Sequence, residues 1–218
     1  MIKRDNYLAE LVSLQGNGMI KIITGMRRCG KSYLLFEIFV SYLEQQGITS
    51  DHITLDYIIK VDLEDFKNRD LRNPDNLYSY IENCIRDKEK YYVLLDEVQM
   101  LDHFEDVLNG FLKMQNVDVY VTGSNAKFLS KDIITEFRGR GYEVKMFPLC
   151  FHEYMSAYKG SIQAGLNEYL LYGGLPQILS CTTEEQKVKF LKSLFEETYV
   201  KDIKDRYDIR KNDDLEEL

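Results

Sequence analysis

The chain has 218 residues, 44% hydrophobic and 29% charged, and it carries a formal net charge of −8. This length predicts a globular protein with enough core to fold without disulfides or structural metals. The negative charge disfavours non-specific binding to nucleic acid or to an acidic membrane, because like charges repel, and leaves such roles to local basic patches. A membrane span is not expected, since no apolar run approaches the roughly 20 residues that one requires.

The cysteines and the first residues of the chain indicate the cellular compartment of the protein. The four cysteines lie far apart and form no C-x-x-C pair, so neither a zinc cluster nor a disulfide framework is indicated. The N-terminus carries Lys3, Arg4 and Asp5 where a signal peptide has its apolar core. These features together predict a protein of the reducing cytoplasm.

Helices and strands alternate along the first part of the chain. Apolar runs of strand length predict buried parallel strands, and apolar residues at helical spacing predict the helices between them. In chain order, the predicted elements are a helix over 4–14, a strand over 19–23, a helix from 31 to a stop at 47, a strand over 52–59, a surface connection over 60–72, a helix over 73–85, a strand over 91–95, a helix capped by Asp102, and strands over 117–121 and 142–147. This alternation predicts a three-layer α/β domain with a parallel sheet that ends near Pro148.

The pattern becomes purely helical after Pro148. Helices are predicted over 151–158, 162–172 and 183–207, and Thr182 with Glu185 forms a predicted capping box at the start of the last one. We therefore expect an α/β domain over residues 1–148, followed by a small helical subdomain and the start of a further region over 149–218.

A phosphate-binding loop is predicted between the first strand and the helix that follows it. Gly25, Gly30, Lys31 and Ser32 match the pattern G-x-x-x-x-G-K-[ST], and they stand between a strand and a helix as the motif requires. Glycines let backbone N–H groups wrap around phosphate oxygens, and the helix N-terminus adds a positive field. We expect Lys31 to reach the β- and γ-phosphates and the Ser32 hydroxyl to bind Mg²⁺. The motif thus predicts nucleotide binding.

The whole loop is expected to line the bound nucleotide. The predicted binding residues are Gly25, Met26, Arg27, Arg28, Cys29, Gly30, Lys31, Ser32 and Tyr33. For Arg27 and Arg28 two interpretations stay open, because a loop arginine either positions phosphates or simply reaches solvent or a nearby carboxylate.

Two adjacent carboxylates follow the strand over 91–95. Asp96 stands at the carboxyl end of that strand, where a P-loop protein holds its Mg²⁺, so it is expected to lie beside Ser32. Glu97 is placed to orient and deprotonate a water aimed at the γ-phosphate. The alternative is an acidic turn after a buried strand. The combination with the glycine loop favours hydrolysis.

Ser124 and Asn125 follow the strand over 117–121. Their side chains could contact the γ-phosphate or the attacking water from a neighbouring strand, and Asn125 is the main candidate. Gly-Ser-Asn is also common turn chemistry, so a purely structural turn is the competing interpretation.

Arg138 and Arg140 lie on a glycine-bracketed turn before the last predicted strand. Either guanidinium could neutralise charge on a transferring phosphate, in the same chain or from a neighbouring subunit. The alternative is a pair of solvated surface arginines. A further turn over residues 173–176, Gly-Gly-Leu-Pro, is better explained on physical grounds as a structural turn that ends a helix.

The order of these motifs resembles the bacterial and archaeal AAA+-like ATPases with a C-terminal domain of uncharacterised function, a family close to the signal-transducing NTPases. The matching segments are 25–32, 95–99, 122–125, 139–140, 148–154, 173–176 and 201–203. The resemblance implies a three-layer P-loop NTPase sheet of the ASCE or AAA+ type, with the phosphate-loop strand between the strands before Asn125 and after Arg140. It also implies a helical lid after Pro148 and a second domain beyond this part of the chain.

The expected function is Mg²⁺-dependent ATP binding and hydrolysis that drives or gates a partner or a C-terminal domain. The expected ligands are ATP and Mg²⁺, and a homo-oligomer with Arg140 acting in trans is one arrangement. The alternative is a nucleotide-gated switch with little turnover. A small-molecule kinase is disfavoured because Glu97 suits water activation, and a GTPase is disfavoured because the sequence has no Asn-Lys-x-Asp motif.

Overall fold

Five parallel strands form the centre of the structure, a computed structural model that describes residues 2–48, 57–123, 137 and 139–196. The strands are β1 (Ile20–Thr24), β2 (Ile58–Asp62), β3 (Tyr91–Asp96), β4 (Val117–Thr122) and β5 (Gly141–Lys145). Their spatial order is β2-β3-β4-β1-β5, and every neighbouring pair runs parallel. The strand before the glycine loop therefore lies between β4 and β5, as the family resemblance implies.

Helices cover both faces of this sheet. One face carries α1 (Asp5–Ser13) and α2, a continuous helix whose three parts are Lys31–Tyr33, a π-helical turn over Leu34–Phe39, and Val40–Gln45. The other face carries α3 (Pro74–Cys84) and α4 (Phe104–Phe111). Successive side chains of a strand point to opposite faces, so β3 sends Val93 into one core and Leu94 into the other. The predicted three-layer α/β architecture is confirmed.

The second strand differs from its prediction. Residues 49–56 lie outside the described residues, and the strand that is described runs through Asp62, into the segment expected to be a surface connection. β2 is an edge strand, so it keeps Ile59 and Val61 buried while Lys60 faces solvent. Polar residues of an edge strand resemble a loop in sequence, and this explains the misplaced boundary. A 3₁₀ turn, Phe66–Arg72, follows.

Two predicted helix caps also need correction. His103, in the left-handed conformation at φ 48°, precedes α4 in place of Asp102, and its side chain makes no capping hydrogen bond. The capping box of the last helix is formed by Thr183 and Gln186, one residue later than predicted. By contrast, the Asn73 side chain accepts hydrogen bonds from the first backbone N–H groups of α3, as its position before Pro74 predicts.

A helical region, defined here as residues 149–196, follows β5. It contains α5 (Phe151–Ala157), α6 (Ile162–Tyr172), a 3₁₀ turn (Pro176–Ser180) and α7 (Glu184–Leu194). Its small core consists of Leu149, Tyr154, Leu175, Ile178 and Leu194. The predicted continuation of the last helix over 197–207 lies outside the described residues, and the domain division at residue 148 stays a prediction. No helix within the described ranges is long and apolar enough to cross a membrane.

The turn over residues 173–176 attaches this region to the end of β5. Gly173, at φ 76°, ends α6, and Gly174 lies so close to Leu149 that a Cβ there would be 2.1 Å from the Leu149 carbonyl oxygen. The Leu149 N–H donates to the Gly174 carbonyl at 2.7 Å, and the Tyr169 hydroxyl donates to the Leu149 carbonyl at 2.9 Å. The motif therefore has a structural explanation, because the close approach requires glycine.

Candidate functional site

The glycine loop leaves β1 at its carboxyl end and leads into α2. Gly25 has φ 145°, and a Cβ at this position would lie 2.3 Å from the Met146 carbonyl oxygen, so only glycine fits. Gly30, at φ 102°, stands at the N-cap of α2, while Arg28 adopts φ 63°, which is uncommon for a residue with a side chain. The loop is thus a backbone turn held in a sharply defined shape at a helix N-terminus.

Lys31 is enclosed by this loop. The residue is only 4% exposed, and its Nζ donates to the carbonyl oxygens of Gly25 and Met26, each at 3.1 Å. A buried ammonium needs such partners, because removing a charge from water is costly. The loop therefore places a positive charge at the N-terminus of α2, an arrangement that favours a negatively charged group nearby.

Asp96 lies next to the loop, at the carboxyl end of β3. Its carboxylate is 4% exposed and accepts hydrogen bonds from the Thr122 hydroxyl and the Ser32 side chain. Burial raises the pKa of the Asp96 carboxyl above its ordinary value, the two hydrogen bonds oppose this, and nearby Glu97 and Asp62 add to it. The expected neighbourhood of Ser32 and Asp96 is present, and it offers a hydroxyl and a carboxylate to a hard cation.

Glu97 follows in the left-handed conformation, at φ 52°. Its N–H donates to the Thr122 Oγ1 at 3.0 Å, and its carboxylate accepts a hydrogen bond from Gln99 Nε2. Thr122 therefore connects the two carboxylate residues, through the Asp96 side chain and the Glu97 backbone. Sequence reasoning missed Thr122, although a hydroxyl at the end of a strand next to β3 is a signal that could have found it.

The raised pKa of Asp96 leads to a prediction about how the stability of the folded protein depends on pH. Because burial raises the pKa of its carboxyl in the folded state, the ionised form costs stability that is regained as the pH falls through that pKa. Asp96→Asn, which mimics the neutral acid, should therefore raise the melting temperature of the nucleotide-free protein by a few degrees at about pH 8. This gain should shrink as the pH falls towards the raised pKa of the Asp96 carboxyl. Thermal melts of both proteins at a series of pH values from about 8 downwards test it, and a variant less stable than wild type at about pH 8 would contradict it.

Other predicted site residues are placed elsewhere or not described. Ser124, Asn125 and Arg138 lie outside the described residues. Arg140 stands at the amino end of β5, where its carbonyl accepts a hydrogen bond from the Ile20 N–H at 2.8 Å. The glycine loop leaves the opposite end of the same sheet, and the five residues of β1 separate the two edges by roughly 17 Å. The geometry therefore gives no support to Arg140 acting on the loop of its own chain.

A cavity of about 380 Å³ opens beside the loop. The N-terminal segment, the loop, the end of β5 and the helical region enclose it, and its lining includes Ile2, Gly30, Tyr33, Met146, Leu149 and Pro176. The walls are largely apolar, unlike the polar loop that they adjoin. Sequence reasoning did not find this cavity, because its lining comes from four separate parts of the chain.

The described residues contain no group of three or more His, Cys, Asp or Glu side chains that could hold a metal ion alone. Ser32 and Asp96 are a fitting partial set for Mg²⁺, which usually takes one or two protein ligands and completes its shell with water and substrate phosphates.

The parallel sheet with its glycine loop defines a P-loop ATPase fold of the AAA+ type. The family model for the AAA domain matches residues 17–155, which is more than half of the sequence, and the chain belongs to this family. A second model, a domain of unknown function, matches residues 163–218. The family resemblance noted in the sequence and the predicted fold class are thereby confirmed.

Curated relatives are longer than this chain. An uncharacterised protein of Haemophilus influenzae is 33% identical over 216 residues, which cover 96% of this chain and 52% of that protein. An uncharacterised protein of Methanocaldococcus jannaschii is 28% identical over 203 residues, covering 88% of this chain and 43% of that protein. The chain thus spans about half the length of the relatives that it matches.

Solved structures share the fold at low sequence identity. The Walker-type ATPase of Pyrococcus abyssi matches with a TM-score of 0.64 and 14% identity, over 95% of this chain and 77% of that one. The Hsp104–ADP complex of Saccharomyces cerevisiae matches with a TM-score of 0.56 and 14% identity, over 90% of this chain and 32% of that one. At such identities these likenesses concern the fold alone.

Proposed function

We propose that this chain is a Mg²⁺-dependent ATPase module. The observation that carries the proposal is the convergence of Lys31, Ser32 and Asp96 at one edge of the sheet, with Glu97 connected to them through Thr122. Each of these side chains has a distinct part in phosphoryl transfer, and together they leave an anion site at the start of α2.

In the proposed reaction, Lys31 and the loop N–H groups bind the β- and γ-phosphates. Ser32 and Asp96 would hold Mg²⁺, which would neutralise negative charge on these phosphates. Glu97 accepts a proton from water while the water oxygen bonds to the γ-phosphorus, and the bond to the β–γ bridging oxygen breaks to release ADP and phosphate. Asn125 is proposed to sense the γ-phosphate.

The cavity beside Gly30 is the proposed site of the base. An adenine ring needs apolar walls adjoining a phosphate site, and Ile2, Met146 and Leu149 supply them next to the loop. This placement would make the nucleotide contact the N-terminal segment and the helical region at once.

Arg140 is proposed to act in trans. Its position at the edge of the sheet opposite the glycine loop supports delivery of the guanidinium to the nucleotide of a neighbouring copy. A head-to-tail contact between copies has the geometry that such delivery requires.

Gating by nucleotide is a second candidate function. The loop touches the helical region directly, because Met26 packs against its core and the Arg28 guanidinium stands 5.4 Å from the centre of the Phe190 ring on α7. A ligand that changes the loop would therefore change the surroundings of α7. We propose that this change is transmitted to a partner protein or to the part of the longer relatives that lies outside this chain.

Calorimetric titration with MgATP tests the proposal. Wild type should bind, and Lys31→Ala should weaken binding by at least about tenfold, because a hydrogen bond to a charged group is lost. Lys60→Ala, which removes an exposed lysine of β2, is the control and should bind as wild type does. Absence of binding by wild type, or equal binding by Lys31→Ala, would contradict the proposed site.

A further inference from the structure

Arg4 joins three parts of the molecule around the glycine loop. Its guanidinium donates to the carbonyl oxygens of Cys29 at 3.3 Å and of Phe147 at 2.7 Å. Its Nε lies 3.1 Å from Glu153 Oε1 on α5, and the group stands 4.7 Å from the centre of the Tyr7 ring. One side chain thus contacts the loop, the connection after β5, and the helical region.

This arginine is almost completely buried, with 2% of its surface exposed. A buried guanidinium is strongly unfavourable unless its charge is paired. Two Arg4 nitrogens donate to carbonyl oxygens, while Nε makes no hydrogen bond and contributes to the ion pair with Glu153. Arginine suits this position because its planar fork carries five donors in fixed directions, whereas a lysine presents a single rotating ammonium. Loss of one contact should therefore disturb the others.

The hydrogen bond from Arg4 to the Cys29 carbonyl orients a backbone N–H group of the glycine loop. A trans peptide bond is planar, so the Cys29 carbonyl and the Gly30 N–H point in opposite directions. By fixing that carbonyl, Arg4 fixes the direction of the Gly30 N–H, at the N-cap of α2 where φ is 102°. This N–H is among the donors through which the loop is proposed to bind phosphate.

The ion pair with Glu153 connects Arg4 to the first turn of α5 in the helical region. The second carboxylate oxygen of Glu153 accepts a hydrogen bond from the Cys150 N–H at 2.8 Å and so caps α5. The same carboxylate therefore starts α5 and pairs with Arg4. The charge pair therefore contacts the start of this helix directly and, through Arg4, the loop.

We propose that Arg4, which also lines the cavity beside Gly30, couples the glycine loop to the helical region. Nucleotide on the loop and docking of α5 then stabilise each other, and linkage requires the effect to be equal in both directions. The inference rests on the proposed function, since it takes MgATP as the ligand of the loop.

The test compares Arg4→Met with Tyr7→Phe in the full chain. Arg4→Met should bind MgATP roughly tenfold more weakly, because a charged donor to the loop is lost. Tyr7→Phe is the matched control. Its hydroxyl accepts from the Phe147 N–H at 3.1 Å in the same connection, and neither its ring nor its hydroxyl is part of the loop. It should bind MgATP as wild type does. Arg4→Lys, which keeps the charge and loses the fork, should resemble Arg4→Met.

Hydrogen exchange separates coupling from a merely structural role. In wild type, MgATP should slow exchange both in residues 25–33 and in residues 150–157. In Arg4→Met the slowing should remain in the loop and be lost over 150–157. Glu153→Gln, which keeps an acceptor for the cap and removes the charge, should show the same loss and carries the test if Arg4→Met does not fold.

Two results would overturn the inference. One is wild-type affinity for MgATP in Arg4→Met or, if that variant does not fold, in Glu153→Gln. The other is slowing over 150–157 in these variants to the wild-type extent. Failure of wild type itself to bind MgATP is a different outcome, since it removes the proposed function on which the coupling rests.

Discussion

Glu97→Gln should bind MgATP with wild-type affinity and hydrolyse it at least about 100-fold more slowly, because an amide cannot accept the proton of the attacking water. The Glu97 N–H donates to the Thr122 hydroxyl oxygen, and this contact does not depend on the Glu97 carboxylate. The substitution should therefore leave the loop and the Asp96 site unchanged. Phosphate release and calorimetric affinity, measured on the same preparation, separate the two effects.

The matched control for this variant is Glu82→Gln, which changes an exposed glutamate of α3. It should retain wild-type turnover. Full activity in Glu97→Gln would reject Glu97 as the base, and loss of MgATP binding would show that its carboxylate acts in binding.

Arg140→Ala should also lose turnover, and mixing it with Glu97→Gln should restore part of it. In the mixture, the site of an Arg140→Ala copy keeps its Glu97 and would receive Arg140 from a neighbouring Glu97→Gln copy. An equimolar mixture should recover up to about a quarter of wild-type activity if the two proteins assemble at random in a head-to-tail contact. The mixture should be assayed for phosphate release against each variant alone.

Arg86→Ala, which removes an exposed arginine next to α3, is the control and should behave as wild type. A mixture no more active than the sum of its parts, or full activity in Arg140→Ala alone, would reject the trans role. The distance between Arg140 and the glycine loop of its own chain makes this the informative experiment.

Much of the sheet was predictable from the sequence because its strands are buried on both faces. The apolar runs at β1, β3 and β4 have strand length and are typical of strands covered on both faces, as in a parallel sheet. β2 was misplaced because, at the edge, Lys60 faces solvent. The caps at Asp102 and Thr182 were misplaced because cap identity depends on local backbone angles, which neighbouring polar residues of similar type do not reveal.

The polar part of the site could be predicted for a topological reason. Parallel strands end at one edge of the sheet, so Ser32 after β1 and Asp96 at the end of β3 had to approach each other. Arg4 was not predicted, because its bond to Phe147 joins residues 143 positions apart. No local pattern carries such a contact. The apolar cavity was missed for the same reason.

In this AAA-family domain the glycine loop contacts the helical region through Met26 and Arg28, and Arg4 joins the two by pairing with Glu153. The longer relatives contain about a further half of protein outside the part that matches this chain. Transmission of the nucleotide state from the loop to that half is the output that we propose for the module.

Phosphate release from MgATP, measured across a range of protein concentrations for wild type and Lys31→Ala, decides whether this chain is an ATPase built on the glycine loop. We expect turnover in wild type that depends on Mg²⁺, and activity per molecule that rises with protein concentration as Arg140 of one copy reaches the site of another. Lys31→Ala should show none at any concentration. No release by wild type at any concentration, or equal release by Lys31→Ala, would contradict an ATPase built on this loop.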